Sequence, residues 1–237
     1  LSFVELFRTG DTLTKPPAAG VGKIIAAGYT RPDGLTPILD TDGKQMFSDC
    51  VDGQSLIKLA NPSVPGVDGN TLFLVTQYEY KSVNVAGAAI YGTLPCPMTI
   101  TTLEQNTQTG ALSVKYQYSV PTASVRGLWI TWSGSLSPWN THLSSEEYEP
   151  DAWLVMLRKT KGSALTSSEL TTWQTSQMSK ANASISRFFD FSRNTLDTAS
   201  TSDTQTTANP YHYGHLPEVT VNPDGTGSIK KHYCLGR

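Results

Sequence analysis

Six consecutive positions, 146–151, hold four carboxylates: Glu146, Glu147, Glu149 and Asp151. The whole chain of 237 residues has only 20 acidic side chains, so this is a local excess. Two chemistries fit it. A run of charge commonly forms a solvated face. Carboxylates held close together can instead hold a hard cation, because calcium takes several oxygen ligands at short range. Without that cation the like charges would repel one another. Adjacent residues on a strand point to opposite faces, so Glu146 and Glu147 serve one site only where their strand bends or ends. Pro150 stiffens the turn that follows. The small residues from Ser133 to Ser137 leave room for backbone carbonyls near an ion.

Other candidates lie apart in the sequence. Asn140 precedes the acidic run and joins it as a residue beside the site. His142 sits four residues before Glu146 and reads as a hydrogen-bonded structural side chain. Glu79 is the lone acid of an apolar strand, and Glu218 opens a hairpin near the end. Both are further site candidates, with a structural role as the plainer reading. His212 and His215 have the spacing of a metal pair but no third nitrogen or sulfur ligand nearby. The three cysteines, Cys50, Cys96 and Cys234, form no CxxC pair, which removes a zinc knuckle. A Cys50–Cys96 disulfide is one alternative in an oxidising compartment, and inert buried thiols are the other. No phosphate-binding loop, dinucleotide fingerprint or G-x-S-x-G nucleophile turn occurs.

The elements that must position these groups are mostly strands. Val21–Tyr29, Thr71–Tyr80, Gly110–Val120, Val125–Gly134 and a short piece around His142 have strand composition or alternation. Pro32-Asp33-Gly34 is a turn. The segment 217–237 is a hairpin around Asn222-Pro223-Asp224-Gly225. Thr166 and Glu169 form a capping box, and Leu170, Trp173, Gln177 and Met178 extend a helical pattern over about 167–181. A polar, Thr-rich loop follows. Many short strands with Gly/Pro/Asn turns predict an all-β sandwich, barrel or propeller carrying a helical insertion over about 151–210.

Composition narrows the function classes. A net charge of −2 offers nothing to nucleic acid or an anionic membrane. No apolar run is long enough for a membrane span. Low charge (16%) with many hydroxyls suits a secreted, periplasmic or cell-surface protein. The start at Leu1 without a charged-then-apolar leader is read as a chain whose signal peptide has already been removed. Tyr78, Tyr80, Trp139 and Trp153 could stack on sugars in a binding module, though core packing is the plainer use.

Ser137-Pro138-Trp139, Thr141, Leu143 and Glu146-Glu147, with Lys231-His232-Tyr233-Cys234-Leu235-Gly236-Arg237 and Pro32-Asp33-Gly34-Leu35, resemble the PhoX-type alkaline phosphatases. The resemblance implies a secreted β-propeller hydrolase of phosphomonoesters with a calcium and iron centre. It implies metal-ligand roles for Glu146 and Glu147. The family carries a cysteine ligand before the Ser/Thr-Pro-Trp, where this chain has Trp132. An indole cannot replace a thiolate on iron, so calcium is the easier cation to defend. The resemblance also implies that residues 1–237 are the N-terminal part of one propeller domain, completed by a second chain or by a missing C-terminal half. A catalytically degenerate calcium-binding propeller, acting as a binding or surface-assembly scaffold, is the alternative.

Overall fold

The computed structural model describes residues 3–148, 166–169, 171 and 210–233. Among these residues ten strands form three antiparallel sheets, so the described part is mostly β, consistent with the all-β expectation. Strands β1 (Thr12–Thr14) and β2 (Lys23–Ile25) make a short ribbon. Strands β3 (Val51–Ile57), β4 (Asn70–Tyr78), β5 (Met98–Gln105) and β6 (Leu112–Ser119) form a four-stranded meander in chain order. Strands β7 (Thr131–Leu136), β8 (His142–Glu146), β9 (Pro217–Val221) and β10 (Gly227–Lys231) form a second one.

Alternation explains which faces meet. Phe73 and Val75 on β4 share a face with Met98 and Ile100 on β5, whose register places Val75 opposite Ile100. They pack with Ile57, Val219, Val221 and Ile229, so one apolar core is shared by the two four-stranded sheets. Full burial of each such side chain contributes about 1.5–3 kcal/mol, which makes this face the principal joint between them. The opposite face of the first sheet carries buried Thr76, Thr99, Thr101 and Gln117. The β1–β2 ribbon touches that sheet along β6.

Several boundaries differ from the sequence expectation. The strand expected over Val21–Tyr29 shrinks to β2, because the chain turns at Ala27 (φ 60°) and drops Ala26 and Ala27 into the core. The strand expected from Val125 begins six residues later, at Thr131. Before it come a 3-10 turn at Ala123–Val125 and left-handed residues at Arg126 and Gly127. Three strands, β1, β3 and β5, were not anticipated. The Asn222–Gly225 hairpin is present, closed by Gly225 N–H to Asn222 C=O. Thr166 and Glu169 also make the capping box: the Glu169 carboxylate accepts from Thr166 N–H at 2.9 Å, and Thr166 Oγ1 accepts from Glu169 N–H at 3.3 Å. The rest of the expected helix, Glu149, Asp151, Trp153 and Cys234 lie outside the described residues.

Candidate functional site

β3 and β7, the first strands of the two meanders, lie against each other. Each is bulged at the contact, β3 between Val51 and Gln54 and β7 between Trp132 and Gly134. A Cβ on Gly53 would stand 2.6 Å from the Gly134 Cα, and one on Gly134 would stand 2.7 Å from the His142 Cε1. Only glycine at both positions permits this approach. Bulges re-aim side chains, and these two do so at one place. Ser133, at φ 53°, turns its carbonyl to the Gln77 carboxamide at 3.0 Å. The register of Val51 opposite Tyr78 puts Asp52 beside Gln77 and Cys50 beside Glu79. A polar seam therefore runs between the two sheets.

One end of the seam is saturated. Gln77 Nε2 donates to Asp52 and to the Ser133 carbonyl, so its Oε1 faces His142 Nε2 at 2.9 Å and must accept. That places the His142 proton on Nε2 and leaves Nδ1 to accept from Ser55 Oγ at 2.8 Å. His142 is fully buried. Burial disfavours the imidazolium and pulls its pKa down to about 4, with Asp52 acting weakly the other way. His142 is thus the hydrogen-bonded structural histidine expected. The Ser55–His142 pair is no nucleophile dyad, because Ser55 is itself buried.

Glu146 and Glu147 part company at the end of β8. Glu146 turns inward, its side chain without solvent exposure. It accepts from Trp129 N–H (2.8 Å), Gly214 N–H (2.9 Å) and His215 N–H (3.2 Å), and pairs with the Lys231 ammonium at 2.8 Å. Lys231 also donates to the His212 carbonyl and lies 4.5 Å over the Tyr213 ring. Burial lowers the Lys231 pKa, and Glu146 works against that shift. Four donors leave Glu146 poorly fitted to a cation. Ile130, a β-branched residue at φ 44°, holds the strained backbone beside it.

Glu147 instead faces Glu79. The Glu147 charge lies close enough to act on the Glu79 carboxyl, and the Cys50 thiol donates to Glu79 Oε2 at 3.4 Å. Burial raises the Glu79 pKa; the Cys50 hydrogen bond opposes this and the Glu147 charge adds to it. Burial raises the hydroxyl pKa of both Tyr91 and Tyr148, and the Glu147 charge adds to each shift. Burial, then Glu79, push the Cys50 thiol up to about 11, and burial pushes Cys96 up to about 12. Both thiols are free, with Cys96 donating to the Glu79 carbonyl. Neither is a nucleophile at neutral pH.

The remaining candidates are scattered. Glu218 is 1% exposed at its side chain and accepts from Trp139 Nε1 and Thr141 Oγ1 on one oxygen, and from His232 Nε2 and Lys230 on the other. Burial alone would raise its pKa; the four donors outweigh that and hold it at about 2. Trp139 and Thr141 of the Ser-Pro-Trp-x-Thr stretch thus bind the tail hairpin. Asn140 sits in the β7–β8 turn at φ 67° and donates to the Lys58 carbonyl. Trp132 is 49% exposed on β7 and fills no buried pocket. Tyr78 is wholly buried, so it is core and not a sugar platform. His215 donates from Nε2 to the Tyr211 carbonyl at 3.1 Å.

Among the described residues no group of three or more His, Cys, Asp or Glu side chains is placed to hold a metal ion. Among them, too, no helix is long and apolar enough to cross a membrane. Sequence reasoning missed Cys50, Asp52, Ser55 and Gln77 as seam residues. The one local signal was a polar residue followed by glycine inside each strand, Asp52-Gly53 and Ser133-Gly134, which marks a bulge. No family model, curated protein or solved structure matches the chain.

Proposed function

We propose that the chain is part of an extracellular, metal-dependent hydrolase of phosphomonoesters, similar to the PhoX-type alkaline phosphatases. The two meanders are two blades of a β-propeller, with their first strands, β3 and β7, on the inner side. A propeller needs about four to eight such sheets, so the others come from a second chain or from further sequence. The observation that carries the reading is that Glu79 and Glu147, just after the ends of β4 and β8, lie close to each other and to Cys50, just before β3. Two oxygens of like charge and a thiol suit a cation better than they suit each other. Glu147 and Glu79 would be ligands, and Glu146 would hold the frame. Further donors must come from outside the described residues, where Glu149 and Asp151 follow in sequence. A bound cation would neutralise a phosphate and activate an oxygen nucleophile. Calcium suits the carboxylates; iron would need Cys50 as thiolate.

The test is hydrolysis of 4-nitrophenyl phosphate by the purified protein before and after chelation, with elemental analysis of the same sample. Activity that chelator removes and calcium restores, and that Glu147→Gln lowers at least a hundredfold, is the expected result. Undiminished activity in Glu147→Gln would overturn the site.

A second reading, a non-catalytic calcium-binding scaffold for binding or surface assembly, is favoured by Glu146. The signature carboxylate is taken up by Lys231 and three backbone N–H groups. That reading predicts bound calcium without iron and no phosphatase activity.

A further inference from the structure

We propose that His142 is an acid-sensitive latch that locks the two four-stranded sheets together at the β3–β7 contact. The ring belongs to β8 of the second sheet, yet both of its nitrogens bond to the first sheet, to Ser55 on β3 and Gln77 on β4. It is one of the few polar side chains that tie the sheets directly, and it is wholly buried. The close glycine pair confines it. With His142 Cε1 against Gly134 and Gly53 against Gly134, the ring has no space to swing toward solvent unless the strands part.

A proton arriving at Nδ1 would find Ser55, which now donates to that atom. The hydroxyl would have to reverse and give up its own donor bond. On the other side Gln77 cannot turn to help, because its amide nitrogen is held by Asp52 and the Ser133 carbonyl. The charged groups facing the ring are few. β3 offers Asp52, one carboxamide away. β4 offers Glu79 farther along the same face, engaged with Cys50 and Glu147. β7 offers no titratable side chain. β9 offers Glu218, whose oxygens are taken by Trp139, Thr141, His232 and Lys230. No carboxylate touches the imidazole, so the imidazolium has no direct counter-charge and is tolerated only when the seam opens and admits water.

The sign follows from linkage. The native ring stays neutral down to about pH 4, whereas in the opened or unfolded chain it takes a proton near 6.5. Between those values the opened state binds more protons, so the closed seam weakens as pH falls. The full effect is an increase in opening on the order of 100-fold from neutral pH to pH 4. The latch is independent of the proposed phosphatase activity, since it needs no metal and no substrate.

Hydrogen exchange of the whole chain, read by mass spectrometry from pH 7 to pH 4 and corrected for intrinsic rates, tests this. Peptides covering β3 and β7 should open progressively with acid while β5 stays protected. His142→Gln, which cannot titrate, should flatten that pH dependence even though the Glu79–Glu147 pair remains. The same pH dependence in both proteins, or opening spread evenly over β5, would overturn the latch. Should the variant fail to fold, ring nitrogen shifts of His142 in the native protein decide the matter. A neutral Nε2–H form at pH 5.5 supports the latch, and titration near 6.5 with the sheets intact rules it out.

Discussion

Glu146 accepts from three backbone N–H groups and the Lys231 ammonium, whereas Glu147, one residue on, lies close enough to Glu79 for its charge to act on that carboxyl. The first environment is complete: a buried carboxylate with its counter-charge and its lone pairs used. The second is unbalanced, with a like charge near Glu79 and the Cys50 thiol bonded to it. Satisfied buried charge builds a frame, and unsatisfied charge leaves chemistry to be done. Glu218 belongs with Glu146 on this view, and the acidic excess splits between the two kinds.

The comparison can be broken by substitution. Glu146→Gln leaves the Lys231 ammonium buried and uncompensated, which should cost about 3–5 kcal/mol in urea unfolding. A loss under 1 kcal/mol would mean that Glu146 is not a frame residue. Glu218→Gln should cost about 2–3 kcal/mol, from weakened charge-assisted bonds to four donors. Its folded pKa lies below the ordinary carboxylate value, so its contribution is present above pH 4.5 and is lost as pH falls toward about 2. Wild type should therefore lose stability over that window and the Glu218→Gln protein should lose less. Gly134→Ala drives a methyl against His142 and Gly53, and should destabilise by about 1–3 kcal/mol. Smallest of all, Glu147→Gln should shift stability by less than about 1 kcal/mol, in the stabilising direction, because it removes a like charge. A large loss there in metal-free buffer would erase the distinction between the two glutamates. Added calcium should raise the melting temperature of wild type but not of Glu147→Gln.

The strands were the most legible part of the molecule. Thr71–Tyr80 and Gly110–Val120 are dense in β-branched and aromatic residues, and β4 and β6 lie there within two residues at each end. The Asn-Pro-Asp-Gly hairpin follows from local turn chemistry alone. β5 carried a similar signal in Met98–Gln105 that could have been read. β3 could not be read so easily: Asp52-Gly53 looks like a turn, and becomes a bulged strand only because Gly134 of another sheet needs that glycine. For the site, the acidic run drew attention to the right place. Its two described glutamates nevertheless diverge, because β8 ends between them.

By itself the sequence determined the all-β character, the turns and the list of residues able to ionise. Those properties depend on neighbours along the chain, through backbone preference and side-chain alternation. Only the tertiary structure decided which ionisable groups are neutralised. Lys231 reaches Glu146 across 85 residues, Cys50 meets Glu79, and His142 crosses to Ser55 and Gln77 on the other sheet. A carboxylate's role is set by the donors and charges within a few ångströms of it, and long-range strand pairing supplies those.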